Sequence, residues 1–199
     1  MSPGEPLEGE GEREAFEVTA LPFMRVLYNT ALRLTQEPQD AADLVQETFL
    51  RAYRTFANFQ PGTNCKAWLF TILYSVFVNQ YRRAKRRPQM ASVEELEERF
   101  HHFAQAPGDT ASDATTVEGW GSRWSPEVER ALRQLPEDFR SPLLLVDVEG
   151  LSYEEAASVL GCAVGTVGSR LFRGRKQLFA MLQEYARQGG YDTGSSMDR

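Results

Sequence analysis

Two stretches of this chain repeat their apolar residues at three- and four-residue steps, and the stretch between them does not. That step places side chains on one face of an α-helix, so the pattern commits both stretches to helices. From Glu14, residues Phe16, Leu27, Tyr28, Ala31 and Leu34 keep the step through Thr35, and Pro38 opens a second helix running to about Phe56. The segment "NFQPGTN" at 58–64 is a loop whose Pro61-Gly62 pair is turn chemistry. A third helix, "CKAWLFTILYSVFVNQYRRAKRR" at 65–87, is stopped by Pro88. Residues 88–124 are rich in Ala, Thr, Gly, Ser and acids and read as a linker with at most a short helix around 92–104.

The period resumes at Ser125, a capping residue followed by Pro126 in the first turn and by Glu127 and Glu129 at the positive end of the helix dipole. "LPEDFRSPLLLVDVEG" supplies the next helix, ended by Gly150, and "SYEEAASVLG" another in which Ser152 and Glu155 have capping-box spacing. No β alternation persists anywhere. The expected fold is all-α: two small helical domains, 14–88 and 125–187, joined by a flexible acidic linker at 89–124, with disordered tails at 1–13 and 188–199.

Composition removes several function classes. No apolar run approaches the roughly 18 residues that a membrane span needs, and "MSPGEPLEGEGEREAF" lacks the basic start and apolar core of a signal peptide, so a cytoplasmic protein is expected. Cys65 and Cys162 are far apart in sequence and read as free thiols. His101 and His102 have no cysteine near them and read as linker residues, so neither metal nor cofactor is expected. There is no phosphate loop and no nucleophile with a convincing base, so no enzyme is expected.

Net charge is -6, yet residues 21–90 carry ten basic against four acidic side chains. A second basic zone lies in "VGTVGSRLFRGRKQL" at 164–178, which holds Arg170, Arg173, Arg175 and Lys176. Two basic zones separated by an acidic segment suggest two contacts with a polyanion. The second zone follows a capped helix and the turn "GCA", which is the helix-turn-helix arrangement whose second helix can enter a DNA major groove. At about 100° per residue, Val164, Val167, Leu171 and Leu178 form the inward face. Thr166, Ser169, Arg170, Arg173 and Lys176 lie opposite, flanked by Phe172, and carry donors suited to phosphates and guanine edges.

The first zone has another texture. In the helix from Cys65, Leu69, Ile72, Leu73 and Val76 form the core stripe, while Phe70, Tyr74, Phe77 and Tyr81 form an aromatic stripe that ends in "RRAKRR". Aromatic faces beside cations can hold unstacked bases, although such a stripe is also ordinary core. The Arg and Lys cluster is the stronger DNA signal, by charge density alone.

Together these residues resemble the extracytoplasmic-function (ECF, group IV, RpoE-like) sigma factors of bacterial RNA polymerase. "DAADLVQETFLRAYRTFANF" at 40–59 resembles the family's region 2.2, which docks on the clamp of the β′ subunit. "AWLFTILYSVFVNQYRRAKRR" at 67–87 resembles regions 2.3 and 2.4, which read and open the -10 element. "LPEDFRSPLLLVDVEGLSYEEAASVLGCAVGTVGSRLFRGRKQL" at 135–178 resembles region 4, which binds the -35 element. The resemblance implies a subunit that binds core polymerase, directs initiation at a bipartite promoter, assists -10 melting, and is a monomer when free.

Carried over by position, the resemblance implies that Asp43, Leu44, Gln46 and Glu47 face the β′ clamp and that residues 143–146 meet the β flap. It implies -10 contacts from Asn58, Gln60, Asn64, Lys66, Trp68, Asn79, Tyr81, Arg82, Arg83 and Arg86, with the 58–66 loop taking an extruded base. It implies -35 contacts from Arg170, Phe172 and Arg173, with Thr166, Ser169 and Lys176 on the same face. Gly168 departs from the family, where a longer side chain is common, and leaves one -35 contact absent. "AFEVTALPFMRVLYNTALRLT" and "GTNCKAWL" are most similar to the subgroup held by zinc-binding, redox-sensing anti-sigma proteins. Two other classes fit parts of the pattern: a free-standing helix-turn-helix regulator that dimerises on half-sites, and a helical bundle that only binds partners. The basic zone in the N-terminal half argues against the regulator, and the bundle would show no dependence on Arg170 or Arg173.

Overall fold

The computed structural model describes residues 8–85 and 124–188. Its elements are α1 (Glu8–Ala20), a 3-10 turn (Leu21–Phe23), α2 (Met24–Thr35), α3 (Pro38–Arg54), a second 3-10 turn (Phe56–Asn58) and α4 (Cys65–Lys85) in the N-terminal unit. The C-terminal unit has α5 (Pro126–Gln134), α6 (Glu137–Leu143), a π-helical turn (Leu144–Val148), α7 (Tyr153–Leu160) and α8 (Val164–Gln188). No strand occurs among the described residues, so the fold is all-α, in two helical units. The short helix expected around 92–104 falls outside the described residues.

The first difference from expectation is at the start. Helix α1 begins at Glu8, inside the segment expected to be disordered. Phe16 ties the helix down, packing edge-on against Tyr53 and Phe56 with centroids 5.2 Å away in each case.

Helix α4 is the axis of the molecule. Ala67, Trp68, Leu69, Phe70, Ile72, Leu73, Tyr74, Val76 and Phe77 are all buried, so the helix is covered on every side over this length. The aromatic stripe of Phe70, Tyr74 and Phe77 is therefore core. Helices α1, α2 and α3 cover α4 from the N-terminal unit, and α7 packs on it from the C-terminal unit. One contiguous core runs through both units. Each fully buried Leu, Ile or Phe contributes about 1.5–3 kcal/mol, which makes this helix a large contributor to stability.

Local signals in the C-terminal unit are realised in detail. The Ser125 hydroxyl accepts from the Val128 N–H. At α7, the Ser152 hydroxyl accepts from the Glu155 N–H at 3.1 Å and the Glu155 carboxylate accepts from the Ser152 N–H at 2.8 Å, closing the capping box. Gly161 ends α7 in the left-handed region at φ 62°. The helix expected up to Gly150 is interrupted: Pro142 sits inside it without an N–H to give, and the backbone widens into the π-helical turn, where the Glu149 N–H donates to the Leu144 carbonyl.

Candidate nucleic-acid interfaces

Helix α8 presents the expected basic face, anchored by Val167 and Leu171, which are fully buried, and by half-buried Leu178. Val164 is a correction: as the first residue of the helix it is 41% exposed and not part of the buried face. Ser169, Phe172, Arg173 and Lys176 are exposed, and Thr166 and Arg170 are half-exposed. Phe172, at 66% exposure, is the largest apolar side chain on this face. The Ser169 hydroxyl donates to the Thr166 carbonyl one turn back.

The cations of α8 divide by their partners. Arg170 pairs with exposed Asp138 at 2.9 Å. Arg175 makes a two-pronged pair with Asp147, at 3.0 and 2.6 Å, and fastens α8 to the π-helical turn. Arg173 and Lys176 make no ion pair among the described residues, so they are the cations available to an incoming phosphate or base edge.

The second surface is the loop before α4. Phe56 and Phe59 stack with centroids 5.8 Å apart, and Phe59 lies 5.0 Å from Trp68, so an aromatic cluster holds the loop from below. Gly62 turns the chain at φ 89°. Asn58 and Gln60 are exposed at the rim, whereas Trp68 is buried, supporting the loop instead of facing outward as expected. The Asn64 side chain does two jobs: its oxygen accepts from the Ala67 N–H at 3.2 Å, capping α4, and its amide donates to Glu155 at 2.6 Å. Lys66 donates to the Glu149 carbonyl at 2.6 Å and pairs with the Glu149 carboxylate at 3.0 Å. Asn79 is half-exposed. The side chains of Tyr81, Arg82, Arg83 and Arg86 lie outside the described residues.

Cys65, beside this loop, is buried, and its thiol faces the Thr19 carbonyl at 3.6 Å. Burial pushes the thiol up from 9.0 to about 12. Among the described residues no group of three or more His, Cys, Asp or Glu could hold a metal ion.

On α3, Asp43 and Gln46 are exposed and Glu47 is half-exposed, bonded at 2.6 Å to Arg51. Leu44 is a correction: it is fully buried in the core and cannot face a partner. The exposed apolar residues of this helix are instead Leu50 and Tyr53. Leu143, Leu144 and Leu145 are likewise buried, leaving Val146 the accessible member of the flap segment.

Sequence reasoning missed the contacts between the two units. Thr30, fully buried on α2, donates to Glu149 at 2.9 Å. Arg33 reaches Glu129 at 3.4 Å and lies over Trp124, 4.1 Å from the ring centroid. Buried Arg140 donates to the Leu34 carbonyl at 3.5 Å. The only hint in the sequence was a threonine among the apolar residues of the core face of α2.

Comparison with known proteins agrees with this geometry. The Sigma-70 region 2 family matches residues 21–87, and the Sigma-70 region 4 family matches residues 125–178. The ECF RNA polymerase sigma factor EcfG of Rhodopseudomonas palustris is 40% identical over 166 residues, 83% of this chain and 82% of the relative. The RNA polymerase sigma-H factor of Pseudomonas aeruginosa is 33% identical over 178 residues, 89% of this chain and 91% of the relative. The sigma factor RpoE of Bartonella quintana, solved in complex with the anti-sigma factor NepR, superposes with a TM-score of 0.60 at 31% identity, covering 87% of this chain and 98% of that one. With both regions matched in order and relatives aligned over most of their length, the chain belongs to the ECF RNA polymerase sigma factors.

Proposed function

We propose that the chain binds core RNA polymerase and directs initiation at promoters carrying -35 and -10 elements. The observation that carries this reading is the outward face of α8, where Phe172, Arg173 and Lys176 stand exposed on the second helix of a capped helix-turn-helix inside a Sigma-70 region 4 match. In this reading Arg173 and Lys176 engage the -35 element directly, and Arg170 joins them by exchanging Asp138 for DNA. Asn58, Gln60, Asn64 and Lys66 contact the -10 strand, with Asn79, Tyr81, Arg82, Arg83 and Arg86 along its path. Asp43, Gln46 and Glu47, together with exposed Leu50 and Tyr53, form the clamp-binding face of α3.

The chain contributes recognition and strand opening, and the polymerase contributes the chemistry. It works where the polymerase is, in the cytoplasm; none of the described helices is long and apolar enough to cross a membrane. An antagonist of the anti-sigma class is a second partner, supported by the NepR complex of the Bartonella quintana relative. A zinc-binding form of that antagonist would carry the metal itself; co-purification from the source cell followed by metal analysis of the complex tests it.

Run-off transcription with purified core polymerase on a mixed promoter library tests the central reading. Protein-dependent initiation at a shared pair of elements is expected. Tight binding to duplex DNA without core, and no initiation with it, would favour a free-standing regulator instead.

A further inference from the structure

The two ion pairs that α8 makes with the preceding helical segments are built differently. Arg175 gives Asp147 two hydrogen bonds, at 3.0 and 2.6 Å, and the Asp147 carboxylate is 34% exposed. Arg170 meets Asp138 through one nitrogen at 2.9 Å, and the Asp138 carboxylate is 72% exposed. A two-pronged, partly sheltered pair is a fastener. A single contact to a carboxylate that stands mostly in water is weak, so another acceptor can displace it.

The backbone sets this weak pair in place. Helices α6 and α8 approach closely at Gly174, where a methyl group would stand 3.2 Å from both the Cβ and the carbonyl of Phe139. Asp138 precedes Phe139 in the chain, and Arg170 lies one turn before Gly174. The same approach that glycine permits therefore brings the carboxylate to the guanidinium. Its exposure leaves the carboxylate hydrated when Arg170 departs. Arg173 and Lys176, about one and two turns further along α8, make no ion pair among the described residues. Of these three cations, Arg170 is the one that must give up an anion before it can take an acceptor on DNA.

We infer that Asp138 sets the affinity of the -35 surface by competing with DNA for Arg170. The inference rests on the proposed role of α8. A duplex gains from Arg170 only what its own acceptor, a phosphate oxygen or a base edge, offers beyond Asp138. When the complex breaks, the carboxylate takes the guanidinium back. The -35 contact is thereby weaker and more readily reversed than the number of cations on α8 implies.

The test measures binding of the holoenzyme to promoter duplexes in which the -35 element found by the run-off assay is intact or scrambled. Asp138→Asn keeps the side-chain shape and removes the charge. It is expected to tighten binding to the intact element about threefold, the size of an exposed ion pair, with the thermal midpoint of the free chain unchanged. In an Arg170→Ala background the same change should give no gain, because the partner competed for is gone. Glu127→Gln, which removes one negative charge from α5, should give no gain either. In a chain that shows the gain, a steeper loss of affinity with salt assigns the acceptor to a phosphate, and an unchanged one assigns it to a base edge. No gain from Asp138→Asn, a gain that survives Arg170→Ala, or an equal gain from Glu127→Gln overturns the inference. Weaker binding by Asp138→Asn overturns it as well, since the carboxylate would then be supporting Arg170 on DNA. In each of these cases the reading of α8 stands while the unmodified holoenzyme prefers the intact element; without that preference both fall.

Discussion

A methyl group added at Gly174 would stand 2.9 Å from Leu143 Cδ1 and 3.2 Å from both the Cβ and the carbonyl of Phe139, so only glycine lets α8 approach α6 this closely. Gly168, earlier on the same helix, is different, because a methyl there meets only the Tyr153 ring at 3.8 Å. Gly174→Ala should therefore cost about 1–3 kcal/mol by overpacking. Gly168→Ala should stabilise by up to about 1 kcal/mol through helix propensity. Thermal melts of the two variants should shift in opposite directions. Cysteine chemistry gives a second residue-scale prediction. With its thiol near 12 instead of 9.0, Cys65 holds about a thousandfold less thiolate at pH 8 than a free cysteine, so iodoacetamide should modify half-exposed Cys162 first. Above pH 9 the thiol ionises only in the unfolded chain, so this contribution to stability is present below about pH 9 and is lost as pH rises toward 12. Peptide mapping after alkylation, and melts across that window, check both statements.

At the scale of the element, α8 carries cations proposed to do two distinct jobs, and variants should separate them. Arg173→Ala or Lys176→Ala should weaken promoter use by about 1–3 kcal/mol where a base edge is contacted, with the thermal midpoint and core binding unchanged. Arg175→Ala should leave promoter affinity nearly intact and lower stability by about 1 kcal/mol or less, since the pair with Asp147 is partly exposed. Promoter filter binding by the holoenzyme and melts of the free chain make the comparison. Much of this element was legible beforehand, because a single helix obeys its own period. The inward face was right at Val167 and Leu171 and failed at Val164, the first residue of the helix. The aromatic stripe of α4 was visible, but periodicity shows only that two faces are apolar and not which protein surface covers the second one. Leu44 and Trp68 were misplaced for the same reason: position in a family motif does not specify which way a side chain turns, and both are core.

For the molecule as a whole, the two helical units and their caps follow from local rules, whereas their mutual packing does not. Ser125, Ser152, Glu155 and Gly161 were readable because caps act within four residues. The contacts of Thr30 and Lys66 with Glu149, and of Asn64 with Glu155, span 83 to 119 residues and depend on a π-helical turn that no pattern announces. Their consequence is that the two surfaces proposed to meet the promoter are unequal in the structure: the face of α8 is open, and the donors of Thr30, Asn64 and Lys66 are covered. The C-terminal unit lies on α4 in the structure, and core polymerase is expected to draw the two units apart. Fluorophores attached at exposed Gln39 of α3 and exposed Gln177 of α8 would report the separation of the units with and without core. A short separation in the free chain that lengthens in the holoenzyme is the predicted result; the same separation in both, or a long one in the free chain, would contradict it.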